Sequence, residues 1–129
     1  MIVRTLAEIL GTERDVQGRG WASRRLLLRK DAMGFSLHDT LVQAGSELVI
    51  WYKHHLEACY CVEGEGEIQD QATGRVFPIV AGTVYALDGH EKHVLRAHRD
   101  LRLVCVFRPP LTGREVHDQE GTFPLIEED

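Results

Sequence analysis

The chain has 129 residues, with 15 Lys and Arg against 20 Asp and Glu for a formal net charge of −5. That length fits one domain with a core of its own, and an acidic balance without clustered Lys and Arg excludes a nucleic-acid surface. The 3 cysteines, Cys59, Cys61 and Cys105, are odd in number and form no C-x-x-C pair, so no disulfide framework is expected and a reducing cytoplasm suits the chain.

Taken in order, residues 1–10 are broken by Arg4 and Glu8 and lack a small-residue cleavage pattern, so no signal peptide is expected. Nothing approaches the roughly 18 consecutive apolar residues of a membrane span. Residues 1–4 read as a short strand able to add to a neighbour's sheet. Thr5 and Glu8 have the spacing of a helix capping box, with Leu6, Ile9 and Leu10 on one side, and predict one short helix ending at Gly11. Residues 12–20 are polar and glycine-rich and read as a loop. Strands are then predicted over 21–29, 35–42, 48–54, 58–68, 75–79, 83–87, 93–97 and 101–107, most of them separated by turn residues. Short strands at about ten-residue spacing are the rhythm of a sandwich or barrel. Pro109 and Pro110 end the last strand, because proline has no amide to give to a ladder. The tail 111–129 is mostly polar yet holds Glu115, His117 and Phe123, and residues 127–129 are expected to be disordered.

Two glycine-led stretches carry the fold signal. In the first, Gly45 is followed by positions 51 and 53, then Glu57 and Gly64; in the second, Gly82 is followed by positions 88 and 90, then His93. This spacing resembles the two motifs of the cupins, G-x5-H-x-H-x3-E-x6-G and G-x5-P-x-G-x2-H-x3-N. The spacing is complete, but Trp51 and Lys53 replace the motif histidines, Asp88 and His90 the Pro and second Gly, and Ala97 the Asn. The resemblance implies an all-β, single-domain cupin barrel, jelly-roll-like, over 1–129, with one short N-terminal helix and a C-terminal lid segment. Only Glu57 and His93 survive from the usual metal set. Tyr85, on the strand leading to His93, is the best third candidate, and carboxylate, imidazole and phenolate suit a first-row divalent ion. His54 and His55 point to opposite faces of a strand, and His55 has the parity of Glu57. A metal-free barrel, in which Glu57, Tyr85 and His93 are merely paired polar residues, is the other reading at this point. His90 and His117 read as surface residues, Cys105 as a small buried residue, and Trp21, Tyr52 and Phe107 as pocket wall or core.

Longer blocks narrow the choice. Residues 52–67, 85–96 and 103–117, together with the opening 1–4, resemble the ectoine synthases, over nearly the whole chain. The resemblance implies a cytoplasmic homodimeric hydro-lyase that closes N4-acetyl-L-2,4-diaminobutyrate into the osmoprotectant ectoine with loss of water. It implies Fe(II), with other first-row divalent metals as alternatives, held by Glu57, Tyr85 and His93. It further implies a substrate pocket of Trp21, Arg24, Thr40, Tyr52, Phe107, Glu115 and His117. Trp21, Ser23, Arg24 and His38 lie outside the longest matching blocks.

The chemistry asks for such parts. The substrate's α-amine attacks the carbon of its own acetamide and closes a six-membered ring. A metal on the amide oxygen polarises a poor electrophile. The amine needs a base and the departing oxygen an acid, for which Tyr52, Glu115 and His117 are the candidates. Glu115 and His117 are two apart and are expected to share a strand face. Arg24 and Thr40 are expected to hold the carboxylate, and Trp21 and Phe107 to keep the substrate folded back. The tail is expected to close over the mouth and exclude water. The rival classes are a ligand-sensing cupin without catalysis, and a sugar isomerase or dioxygenase.

Overall fold

The structure is a computed structural model and describes residues 1–117 and 121–123. The disorder expected of 127–129 therefore concerns residues outside those described. Helix α1 (Leu6–Ile9) begins where predicted: the Thr5 side chain accepts the Glu8 amide at 3.3 Å. Ten strands follow among the described residues: β1 (Asp15–Gly18), β2 (Trp21–Leu27), β3 (Ser36–Val42), β4 (Glu47–Ile50), β5 (Leu56–Glu63), β6 (Glu65–Asp70), β7 (Val76–Val80), β8 (Val84–Leu87), β9 (His93–Ala97) and β10 (Leu101–Arg108). They form two antiparallel sheets, one ordered β1-β2-β3-β10-β5-β8 and the other β4-β9-β6-β7.

The core lies between the sheets. Strand β10 shows the alternation that builds it: Leu101, Leu103, Cys105 and Phe107 are buried, while Arg102, Val104 and Val106 are only partly so. Because β10 lies between β3 and β5, its inner residues are central to the cavity described below.

Several predicted boundaries move, each for a local reason. The expected loop 12–20 contains β1, which pairs with β2 through the two-residue turn Arg19–Gly20, with Gly20 at φ 81°. It was hidden because a four-residue edge strand whose one apolar residue is Val16 is too short to show alternation. The predicted strand 58–68 is broken at Gly64, where φ is 102° and a Cβ would lie 2.1 Å from the Asp100 carbonyl oxygen. That glycine passes the chain from the first sheet to the second as β5 becomes β6. Strand β2 stops at Leu27 before a 3-10 turn over Arg29–Asp31, and β4 stops at Ile50 rather than at 54. Residues 1–4 form no strand within this chain; Arg4 instead reaches the Leu26 carbonyl and the Asp31 carboxylate.

The tail returns to the barrel. The Leu111 amide donates to Ser36 Oγ at 3.0 Å, the Arg29 amide to the Leu111 carbonyl at 2.8 Å, and the Trp51 amide to the Gly121 carbonyl at 3.1 Å. Leu111, Thr122 and Phe123 are buried. Gly121 fits because it has no Cβ, which would lie 2.2 Å from the Val49 carbonyl oxygen. Among the described residues no helix is long and apolar enough to cross a membrane.

Candidate active site

Between the sheets lies a cavity walled by Trp21, Ser23, Thr40, Tyr52, Glu57, Tyr85, Cys105, Phe107, His117 and Phe123. Strand register explains who faces it. Ser23 on β2 is opposite Thr40 on β3, and Phe107 on β10 is opposite Glu57 on β5. On β8, Tyr85 is opposite Cys59, which places the phenol diagonally beside Glu57 on one sheet face. His93 comes from the other sheet, as the first residue of β9.

Glu57 and His93 are buried and Tyr85 is partly buried, and none is matched by a permanent charge. Burial pushes the Glu57 carboxyl up to about 8, partly offset by hydrogen bonds from the Cys59 and Cys105 thiols. Burial raises Tyr85 well above an ordinary phenol and lowers the His93 imidazole. The Nδ1–H of His93 donates to the Glu91 carbonyl at 2.9 Å, so its lone pair lies on Nε2, which is buried and has no hydrogen-bond partner among the described residues. An imidazole fixed through one nitrogen with the other vacant is the usual posture of a metal-ligating histidine. The donor set therefore fits a divalent cation, whose charge would offset the cost of ionising the buried oxygens. A second grouping overlaps it: ligand atoms of Glu57, Cys59 and Cys105 lie within 4.8 Å of one another. Burial holds the Cys59 thiol well above the usual thiol range, as it does the Tyr85 phenol, so without a cation both keep their protons.

Across the cavity, Tyr52 Oη and His117 Nε2 are 2.8 Å apart. Burial, then the Glu57 charge, raises Tyr52 well above the ordinary phenol range, so Tyr52 keeps its proton. Phe123 stacks on Tyr52 with ring centroids 5.0 Å apart, and Trp21 lies 5.2 Å from His117. The tail thus supplies both a polar group and an aromatic wall.

Comparison with known proteins agrees with this architecture. The family model described as ectoine synthase matches residues 1–127. The L-ectoine synthase of Desulfosudis oleivorans is 60% identical over 129 residues, covering 99% of this chain and 100% of that protein. The solved ectoine synthase from P. lautus superposes with a TM-score of 0.89 at 60% identity, over 100% of this chain and 93% of that one. The chain belongs to the ectoine synthase family. An RmlC-like cupin from Shewanella frigidimarina, 20% identical over 74% of this chain and 81% of its own, has a TM-score of 0.59 and shows the cupin fold alone. Like the other ectoine synthases, the chain is an enzyme of the hydro-lyase type, not a sensing module, sugar isomerase or dioxygenase.

Of the ten residues singled out from sequence, eight meet at or beside this cavity and two do not. Arg24 is turned to the opposite face of β2, where its Nε donates to the Asp39 carbonyl at 2.8 Å and its Nη2 pairs with the Asp39 carboxylate. Its neighbour Arg25 lies on the cavity side, fully buried behind Phe123, with its guanidinium carbon 5.7 Å from that ring centroid. Arg25 Nη2 donates to the Glu115 carbonyl at 2.7 Å, while Nη1 is buried without a partner among the described residues. Glu115 and His117 do not share a strand face, because 115–117 is not a strand. The Glu115 carboxylate turns back to accept the Thr112 amide at 2.8 Å and the Gly113 amide at 3.0 Å. Burial pushes that carboxyl up, but these hydrogen bonds, led by Thr112, outweigh it and hold it below its usual value. Glu115 is therefore a fixed anion that shapes the tail. His55 is inside, as its parity with Glu57 predicted, though residues 51–55 are irregular; burial lowers its imidazole, and it stands edge-on to Phe107 at 6.0 Å. Phe123 and Arg25 are the wall and the cation that sequence reasoning missed.

Proposed function

We propose that this chain closes N4-acetyl-L-2,4-diaminobutyrate into ectoine with loss of water, using iron(II) held by Glu57, Tyr85 and His93. Family membership supports the reaction. The observation that carries the metal assignment is the vacant, buried Nε2 of His93, fixed from behind by a backbone carbonyl. The bound ion supplies Lewis-acid polarisation of the acetamide carbonyl.

The rest falls to side chains. Two protons leave the amine nitrogen and two arrive at the departing oxygen, so the site's proton count returns to its start in each turnover. A hydrogen-bonded pair that accepts one proton and gives another suits that task, and Tyr52 with His117 is the pair facing the cavity. Arg25 takes the role first given to Arg24 and binds the substrate carboxylate, since Nη1 is the buried cationic donor still to be matched. Thr40 assists from the facing strand. Trp21, Phe107 and Phe123 keep the substrate folded back on itself, and the tail carrying Phe123 shields the reaction from water. The enzyme acts as a cytoplasmic two-fold homodimer. Its buried free thiols suit a reducing compartment, and the exposed apolar residues of its N-terminus, Met1 and Val3, with the exposed Val84 on edge strand β8, supply surface for a partner.

The test is direct. Purified protein with Fe(II) is expected to form ectoine, and Glu57→Ala, Tyr85→Ala and His93→Ala are each expected to lower bound iron while circular dichroism stays that of a barrel. Iron content unchanged in all three variants overturns the metal assignment.

A further inference from the structure

A closed chain of buried hydrogen bonds leads from the tail to the cavity. The Leu111 amide donates to Ser36 Oγ at 3.0 Å. Ser36 Oγ lies 2.8 Å from His38 Nε2, and His38 Nδ1 lies 3.2 Å from Ser23 Oγ. Arg25 Nε donates to that same Ser23 Oγ at 3.4 Å. Ser36 and His38 are sealed at 0% exposure, whereas Ser23 borders the cavity.

Both ends of this chain can only donate, since a backbone amide and a guanidinium have no lone pair to offer. The imidazole between the two hydroxyls is neutral, because burial and then the Arg25 charge lower it well below the usual histidine range. A neutral imidazole donates from one nitrogen and accepts at the other, which leaves two arrangements. If Nε2 carried the proton, Ser36 Oγ would accept twice, and its own hydrogen would be left in a sealed site without an acceptor. If Nδ1 carries it, Ser36 donates to Nε2, Ser23 Oγ accepts from Nδ1 and from Arg25, and the one spare hydrogen is the Ser23 hydroxyl at the cavity wall. A buried donor without an acceptor costs about 1–3 kcal/mol, which selects the second arrangement.

We propose that His38, locked as the Nδ1–H tautomer by Ser36 and the Leu111 amide, is a positioning residue that makes Ser23 a one-way donor into the cavity, where with Arg25 it binds the substrate carboxylate. The identity of the ligand rests on the carboxylate reading above; the tautomer does not. The arrangement also links the polarity of the cavity to the seating of the tail, because the first donor in the chain is the amide of tail residue Leu111.

The tautomer is read on the wild-type protein, labelled with 15N-histidine, from long-range proton–nitrogen correlations of the ring. His38 is expected to show a protonated Nδ1 and a bare Nε2; a protonated Nε2 overturns the proposal whatever the enzyme does. Kinetics with N4-acetyl-L-2,4-diaminobutyrate then test the ligand contact. Loss of a hydrogen bond to a charged group is worth roughly 10- to 100-fold, so Ser23→Ala and His38→Leu are each expected to raise KM by about that factor with a smaller change in kcat. His38→Asn, whose amide can replace Nδ1–H, is expected to stay within about threefold of wild type, whereas His38→Gln, whose amide reaches towards Ser36, behaves like His38→Leu. The double variant Ser23→Ala/His38→Leu is expected to be no worse than Ser23→Ala, because the two residues act as one unit. Unchanged KM in Ser23→Ala, or equal KM in the Asn and Leu variants at matched thermal stability, overturns the positioning role. Absence of any cyclisation by the wild-type protein with iron refutes the proposed reaction, and leaves the ring spectrum to decide the tautomer.

Discussion

The two faces of the β2–β3 ladder treat a buried arginine in opposite ways. On one face Arg24 is opposite Asp39, and Arg102 brings a second guanidinium to the same carboxylate at 2.7 Å. On the other face Arg25 is opposite His38, a neutral imidazole between two serines, and no carboxylate pairs with the guanidinium among the described residues. The Glu115 charge offsets only part of the cost of burying Arg25, and a buried cation left under-compensated is tolerated where a ligand brings further negative charge. The paired arginine is suited to stability and the other is the one proposed for binding, although the two are adjacent in sequence.

Arg25→Met should therefore give the largest functional loss. Removing one partner of a buried charge contact costs roughly 2–5 kcal/mol, so kcat/KM is expected to fall by about 30- to 5,000-fold, while thermal unfolding of the substrate-free protein changes little. A comparable loss of activity in Arg24→Met would erase the distinction between the faces. Next in size is Phe123→Ala, which opens the wall behind which Arg25 lies. A buried phenylalanine cut to alanine costs about 3–5 kcal/mol, so calorimetry is expected to show a lowered Tm together with reduced turnover. An unchanged Tm would make the tail a surface extension. Arg24→Met is expected to cost about 2 kcal/mol, because Asp39 stays buried with Arg102 alone, and to change kcat/KM by less than about threefold.

The smallest effect appears in acid. Burial pushes Asp39 up, but hydrogen bonds from Arg102 and Arg24 outweigh it and hold the carboxyl below its ordinary 3.8. A carboxyl lowered on folding adds stability that is complete above the unfolded value and is lost as pH falls through the folded one. The acid branch of a Tm profile, below about pH 4, should accordingly flatten in Asp39→Asn. Identical acid slopes in variant and wild type would remove Asp39 from the account.

The same ladder shows what could be read from the sequence. Once Trp21 is placed at the cavity, alternation puts Ser23 and Arg25 beside it and turns Arg24 away. The choice of Arg24 was thus a parity error that the sequence itself contained the means to correct. Motif spacing marked Glu57 and His93, and the family resemblance added Tyr85, already a candidate by its strand position, which the β5–β8 register sets diagonally beside Glu57. Glu115 and His117 were misread as a strand pair, since alternation says nothing about a turn in which a carboxylate caps the amides of Thr112 and Gly113. The position of Phe123 depends on Gly121 passing close to Val49, a long-range approach that no local pattern encodes. Strand β1 was missed because a short, mostly polar edge strand looks like loop, and β5 was run into β6 because only Gly64 separates them.

The sheet order has a consequence for how the protein is made. Strand β10, the last among the described residues, is inserted between β3 and β5, so β1-β2-β3 and β5-β8 remain separate ribbons until it arrives. Until residues 101–108 pair, the chain holds two unpaired edges, on β3 and β5, each a template for pairing with another chain. Completion of the large sheet therefore waits on β10, and the chamber closes only once Phe123 has stacked on Tyr52.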